Sequence, residues 1–297
     1  CETWNETVIL SGHGREIKNS EILNTADKNR STAFFCGGGK TPSWLAALLA
    51  ENGLDGTELI IGENLSYENQ RITRGHPSEL AQGSYDSLSL VLIINENPCE
   101  TRTARLRDSE FIRGEVPMTR EEVRSVIIDK LELKRDSVVW DIGAGTGSVT
   151  AAAALEAPCG EVFAVECEKS AADLVRANAN KFRLFNVSVH DGKALEVIGS
   201  LPRPTHVFIG GSGCELEELL HKIFALGSGI RVVVSCVTLK TYTKAFTLLN
   251  ENNCTDFDAV QINVSRAKKL GASTIMAAQN PVTIMSALTE SGKKEVL

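Results

Sequence analysis

The chain is poor in the features that three broad classes of protein depend on. No apolar run approaches the ~18 residues that a membrane-spanning helix requires, and the opening Cys1 Glu2 Thr3 Trp4 Asn5 Glu6 lacks signal-peptide character. A cytoplasmic protein without a membrane partner is therefore expected. The eight cysteines include no C-x-x-C pair and no Cys/His spacing suited to zinc, which excludes an evident metal site or disulfide framework and leaves reduced, mostly packed thiols. Aromatic residues make up 5% of the chain and the formal net charge is −7. That balance argues against a nucleic-acid partner, while a local basic patch remains free to hold an anionic small molecule. An initiating methionine is also lacking, so a fragment or a processed product is expected.

What is present describes a soluble globular protein: 297 residues, 42% apolar and 23% charged, enough for two ordinary domains or one large one. From Ser137 onwards short β-like runs (138–142, 161–165, 187–190, 206–209, 231–235, 257–264 and 274–278) alternate with helical patterns (148–156, 169–182, 214–226 and 239–252). Alternation of this kind predicts a doubly wound α/β domain with a mostly parallel sheet. The short basic link between its last two runs predicts an antiparallel pair at the sheet edge. An earlier region, 1–97, has its own strands (7–10, 31–35, 59–62 and 88–94) and a helix over 42–51, and the charged stretch 98–113 reads as a linker before a domain over 114–290.

The most informative segment is Val138–Ser148, a buried strand running into Gly143 Ala144 Gly145 Thr146 Gly147 and then an alanine-rich helix. Glycines permit positive φ and a close backbone approach, and the helix start directs unpaired N–H groups at the same place. A dinucleotide fingerprint, G-x-G-x-x-G, fails at its third position, which is Ser148. Asp141 followed by Gly143, Gly145 and Gly147 fits instead the acid-then-G-x-G-x-G pattern of S-adenosylmethionine enzymes. Glu166 closes the next apolar run, where a carboxylate would bond ribose hydroxyls, unless it is only a solvated acid at a strand end. By contrast, Gly39 Lys40 Thr41 is a decoy for a Walker A loop, because Phe34 stands where its first glycine belongs, and Pro42 marks a helix start.

Several strings then converge. Glu115–Glu122 (EVPMTREE), the DIGAGTGS turn, Phe208–Gly213 (FIGGSG), Ser265–Lys268 (SRAK) and Ala277–Val282 (AAQNPV) together resemble the C15-methylating, decarboxylating methyltransferases of cobalamin biosynthesis (the CbiT type) over about 110–287. Ser11–Arg15 (SGHGR), Gly62–Tyr67 (GENLSY) and Arg71–Gly75 (RITRG) resemble the C-terminal half of the C5-methylating tetrapyrrole methylases (the CbiE type), in the order found in fused precorrin-6Y C5,15-methyltransferases. The N-terminal half of that first domain is lacking, so C5 methylation is expected of an intact fusion and not of this chain alone.

The resemblance implies a Rossmann-like S-adenosylmethionine domain preceded by a partial tetrapyrrole-methylase domain. It implies a cofactor cleft of Thr119, Asp141, Gly143, Ala144, Gly145, Thr146, Gly147, Glu166, Asp191, Gly192, Lys193 and Gly210. The substrate would be a corrinoid tetrapyrrole rich in carboxylates, oriented by Arg120, Arg266, Lys268 and Lys269, with Arg113 a weaker candidate. No metal or pyridoxal cofactor is required, and family relatives imply a homo-tetramer. The chain departs from the family pattern in two respects: Cys214 replaces a glycine, and Thr205 and His206 stand where an acid is usual. His206 is open to a proton-shuttle role, although a strand-start histidine is more often structural. Competing readings are a nicotinamide-dependent oxidoreductase on the same fold, an RNA adenine methyltransferase, and a non-catalytic docking role for 1–97.

Overall fold

The computed structural model describes residues 4–14, 16–99, 103–210, 215–251 and 254–290, and the chain divides into two compact units between Arg102 and Thr103. The first unit contains β1 (Val8–Ser11), α1 (Asn19–Lys28), β2 (Ser31–Phe35), α2 (Pro42–Glu51), β3 (Glu58–Glu63), β4 (Arg71–Gly75), α3 (Pro77–Leu80) and β5 (Ser89–Ile94). Its sheet has the order β1-β2-β5-β3-β4, with β1 and β2 parallel and the other pairs antiparallel. Leu10, Phe34, Leu59, Ile61, Val91 and Ile93 are buried, as are Ile22, Leu23, Leu45 and Leu49 of α1 and α2. At the start of α2 the Thr41 hydroxyl accepts the Trp44 N–H at 3.2 Å, with Pro42 in the first turn. The Gly39 Lys40 Thr41 string is thus a helix cap.

The second unit contains α4 (Glu121–Leu131), β6 (Val138–Ile142), α5 (Ser148–Glu156), β7 (Glu161–Glu166), α6 (Lys169–Lys181), β8 (Val187–Asp191), α7 (Ala194–Val197), β9 (His206–Ile209), α8 (Leu216–Ala225), β10 (Arg231–Cys236), α9 (Leu239–Glu251), β11 (Cys254–Ile262), β12 (Ser265–Leu270), β13 (Ser273–Ala278) and β14 (Val282–Thr289). Seven strands form one sheet in the order β11-β14-β10-β9-β6-β7-β8. It is the doubly wound, mostly parallel sheet expected, with β14 alone running against both its neighbours. Helix α5 contacts α4 and α6, and α8 contacts α7 and α9. The run Ser148–Ala154 of α5 is buried throughout, and its alanines let the helix approach β6 and β7 closely.

The sheet edge carries the expected antiparallel pair, but between other runs than those expected. The run over 257–264 does not pair with 274–278; β11 pairs with β14, while β12 and β13 close on each other as a separate hairpin. The reason is local: Gly271 has φ +59° in the two-residue connection between Leu270 and Ser273, the left-handed geometry that favours tight hairpins. β14 is masked in the sequence because Thr283, Ser286 and Thr289 interrupt its apolar residues, although all three are buried.

The expected linker over 98–113 also changes character from Thr103 onwards, where the chain belongs to the second unit. Leu106 and Phe111 are core residues there, packed with Val139, Ala151, Val162 and Phe182. Their apolar side chains were hidden among arginines and acids. Among the described residues no helix is long and apolar enough to cross a membrane.

Candidate active site

The sheet of the second unit reverses direction at the β6/β9 boundary: β7 and β8 extend to one side of β6, and β9 and β10 to the other. In an open α/β sheet this is where a crevice forms at the carboxyl ends of the strands. The glycine turn leaves β6 at that point. Gly143, Gly145 and Gly147 have φ of +72°, +58° and +76°, and Gly147 is the N-cap of α5. The N–H groups of Gly143 and Ala144 both donate to Val165 O, at 2.9 and 3.3 Å, which fixes the turn on β7. Gly210, at the end of β9, donates to Ile142 O at 3.0 Å, and a Cβ there would lie 3.5 Å from Gly143 O. Turn and strand end therefore form one floor. Residues 211–214, including Cys214, lie outside the described residues.

Two carboxylates lie under and across this floor. Asp141 is 0% exposed. The Thr150 hydroxyl donates to its Oδ2, while Oδ1 is buried without a partner, and burial pushes its pKa up to about 6. Glu166, at the end of β7, accepts the Gly145 N–H at 2.9 Å through Oε2 and the Glu168 N–H at 3.0 Å through Oε1. It spans the turn; Oε1 also accepts from the Cys167 thiol at 3.6 Å, and Oε2 retains a lone pair for a hydroxyl. The Thr146 hydroxyl is likewise buried and unpartnered. An unpaired buried carboxylate oxygen, an unpaired hydroxyl and a left-handed backbone at Gly145 packed close under Pro117 O suit a ligand with a cationic amine, a carboxylate and a ribose.

Asp191 faces Glu166 in register across β7 and β8 and is held by Arg176 of α6 at 2.6 Å. Gly192 donates to Glu166 O at 2.9 Å. Lys193, exposed, is the N-cap residue of α7. The PMT string lies directly over the turn: a Cβ on Gly145 would stand 3.3 Å from Pro117 O and 3.8 Å from Val116 Cγ1. Thr119 contributes its carbonyl, which accepts from Arg124 Nη1 at 2.8 Å and from Ser148 Oγ at 3.4 Å.

The basic candidates separate into two groups. Arg266 reaches α4, donating to both carboxylate oxygens of Glu122 at 2.7 and 2.8 Å and lying 3.3 Å from Glu121. Arg120 and Arg113, both partly exposed, lie 3.7 and 3.9 Å from Asp108 Oδ2, and Arg266 is also 3.7 Å from that oxygen. Lys268 and Lys269 are exposed on β12. His206 lies at the other end of the sheet: it pairs with Val139 at the start of β6, whereas the turn follows Ile142. Its ring meets Thr205 Oγ1 at 2.7 Å, and burial lowers its pKa to about 4. That placement removes the proton-shuttle role. Cys36 and Cys236 are buried thiols, but Cys167 is exposed beside Glu166.

Sequence reasoning missed Arg124, Asp108 and Asn178. Arg124 is 2% exposed and pairs with Asp108 at 3.3 Å, its guanidinium 4.9 Å from the Phe111 ring centre. The signal lay in a helix pattern, 121–131, in which Arg124 falls beside Val123, Ile127 and Leu131 on the buried face.

Residues 110–289 match the family model for the precorrin methyltransferase domain. A probable cobalt-precorrin-6B C(15)-methyltransferase (decarboxylating) of Pyrobaculum calidifontis is 40% identical over 189 residues, 62% of this chain and 96% of that protein. The cobalt-precorrin-6B C(15)-methyltransferase (decarboxylating) of Salmonella typhimurium is 35% identical with the same coverage of both chains, 62% and 96%. A solved precorrin-6Y C5,15-methyltransferase structure from Geobacter metallireducens is 36% identical and superposes with a TM-score of 0.58, covering 63% of this chain and 97% of that one.

Proposed function

The chain belongs to the precorrin methyltransferase family, whose model matches residues 110–289, and from that premise we propose that the second unit methylates C15 of a precorrin or cobalt-precorrin and removes the carboxyl group of its ring C acetate as carbon dioxide. The observation that carries the reading is the Asp141–Gly147 turn at the sheet's switch point, with Glu166 across it and Pro117 above it. Family membership displaces the nicotinamide oxidoreductase and the RNA methyltransferase as readings of this site.

S-adenosylmethionine, the methyl donor, supplies an electrophilic methyl group on its sulfonium. The protein's part is to bind and orient. The unpartnered Thr146 hydroxyl would receive the methionine carboxylate, the free Asp141 oxygen would face its ammonium, and Glu166, which already holds the Gly145 N–H, would take a ribose hydroxyl. Asp191, Gly192 and Lys193 flank the adenine. Holding the methyl carbon in line with the ring carbon accounts for much of the rate. Arg120 and Arg113, with Lys268 and Lys269 on the hairpin, meet substrate carboxylates. Arg266 contributes mainly by fixing the hairpin base to Glu122.

The first unit is read as belonging to a tetrapyrrole-methylase domain of the C5-methylating type. A cytoplasmic homo-oligomer, a tetramer by analogy with the family, completes the reading; Leu270 and Met276, 63% and 67% exposed on the hairpin, are apolar surface that assembly would cover. The test is to incubate the protein with S-adenosylmethionine and cobalt-precorrin-6B or its metal-free counterpart and to follow substrate mass. The expected product is heavier by one methyl and lighter by carbon dioxide; unchanged mass with both tetrapyrroles refutes the assignment.

A further inference from the structure

The segment leading into α4 is pinned over the glycine turn at two points, and one of the pins is a residue without an assigned role. Asn178 lies on the buried stripe of α6, with Val175 and Ala171 one and two turns before it. An apolar residue would continue that stripe. Instead a fully buried amide makes three hydrogen bonds, all to backbone. Its Oδ1 accepts the Ile112 N–H at 2.7 Å, and its Nδ2 donates to Ile112 O at 3.0 Å and to Thr146 O at 2.9 Å. A carboxamide alone combines the acceptor and the two donors at this reach. Val175 meets the same turn from the preceding helical turn of α6, since a Cβ on Gly147 would stand 3.0 Å from Val175 Cγ1. At the far end of the segment Arg124 holds Thr119 O at 2.8 Å. Between the two pins, Pro117 O lies over Gly145.

We propose that Asn178 is a positioning residue for the cofactor: by clipping Ile112 to Thr146 it holds residues 112–119 closed over the glycine turn and so sets the affinity for S-adenosylmethionine. The proposal rests on the assignment of that turn as the cofactor site. Asn178 spends all three bonds on backbone groups of its own chain, so it acts through the segment and the turn. Its loss removes the partner of the Thr146 carbonyl, a buried bond, and of the part-buried Ile112 N–H and C=O, and frees one end of the segment, which raises the cost of closing it on each binding event.

The experiment is calorimetric titration of S-adenosylmethionine into the full chain and into Asn178→Ala, Asn178→Leu and Asn178→Asp, with thermal melts to establish folding and steady-state assays on the corrinoid. Ala and Leu should raise Kd for S-adenosylmethionine at least ten-fold, about 1.4 kcal/mol, with Leu failing although it fills the space. Asp, which keeps the acceptor, should fall between wild type and Ala. The rise in KM for S-adenosylmethionine should exceed any fall in kcat at least ten-fold. Folded variants with wild-type Kd, or a loss confined to kcat, overturn the proposal. If the variants do not fold, hydrogen exchange at the Ile112 amide of the wild type decides: saturating S-adenosylmethionine should slow it, and an unchanged rate overturns the proposal. A wild type that does not bind S-adenosylmethionine refutes the cofactor assignment itself, a different result from variants that bind as the wild type does.

Discussion

Asp141→Asn tests the electrostatics beneath the glycine turn, because burial shifts two groups on adjacent strands in opposite senses. The Asp141 pKa rises from 3.8 to about 6. Between those values the folded protein holds this proton more tightly than the unfolded chain, so the group makes stability fall as pH rises, and its cost is fully present above about pH 6. A shift of that size corresponds to about 3 kcal/mol. The His206 pKa falls from 6.5 to about 4. Here the unfolded chain binds the proton more tightly, so stability rises with pH through nearly the same window. The two contributions oppose each other in the wild type. Asn keeps an acceptor for the Thr150 hydroxyl but puts a donor where the unpartnered oxygen lies, at a cost of about 1–3 kcal/mol. The variant should therefore be the less stable protein near pH 4 and gain about 3 kcal/mol relative to the wild type by pH 7. Urea unfolding followed by far-ultraviolet circular dichroism at steps from pH 4 to 7.5 measures the difference. Surface carboxylates with lowered pKa, such as Glu122 and Asp258, are common to both proteins and cancel. A difference that does not change with pH refutes the reasoning.

Three further substitutions separate structural from ligand-facing roles. Arg124→Met leaves Asp108 and Thr119 O without their main partner in a buried setting, and should cost about 3–5 kcal/mol in urea unfolding; a loss under 1 kcal/mol would mean the pair is not coupled as the geometry indicates. Gly145→Ala places a methyl 3.3 Å from Pro117 O at φ +58°, which should cost about 1–2 kcal/mol of stability and weaken S-adenosylmethionine binding at least ten-fold by calorimetry. Arg120→Ala should raise the corrinoid KM with little change in melting temperature, whereas Arg266→Ala should lower the melting temperature too, because Glu122 loses the Nη2 group that bonds both its oxygens. Equal behaviour of the two variants would erase the distinction drawn between them.

What was legible in the sequence was whatever local patterning decides. The strands 31–35, 138–142 and 206–209 and the helices 42–51 and 148–156 have the bounds their sequence gives them, because continuous apolar runs, a Thr-Pro start and a glycine-rich turn each act over a few residues. The antiparallel edge was misread for the complementary reason. Which strand pairs with β11 depends on Thr283, Ser286 and Thr289 being buried, and Thr289 is accepted into the core only because its hydroxyl bonds Ile230 N and Gly227 O, some sixty residues away in sequence, at 3.0 and 2.8 Å. A polar residue satisfied by a distant partner looks like a surface residue until that partner is placed.

The same physics divides the site. Asp141, the glycines and Glu166 announce themselves because a strand, a turn and a helix start dictate their residue types within one βαβ unit. Arg124, Asp108 and Asn178 do not, since each is defined by a carbonyl or carboxylate brought near by the fold: Asn178 lies sixty-six residues from Ile112. For such residues the sequence offers one cue, a polar side chain on the buried stripe of a helix, as Asn178 is after Ala171 and Val175 and as Arg124 is among Val123, Ile127 and Leu131. A lone polar residue on such a stripe costs several kcal/mol unless it is paired, so its presence requires a partner inside the domain. In both helices here the partners include the backbone of the segment lying over the glycine turn, Thr119 O for Arg124 and Ile112 for Asn178, which makes the position of that segment, rather than the turn alone, the part of the site that the rest of the domain is built to hold.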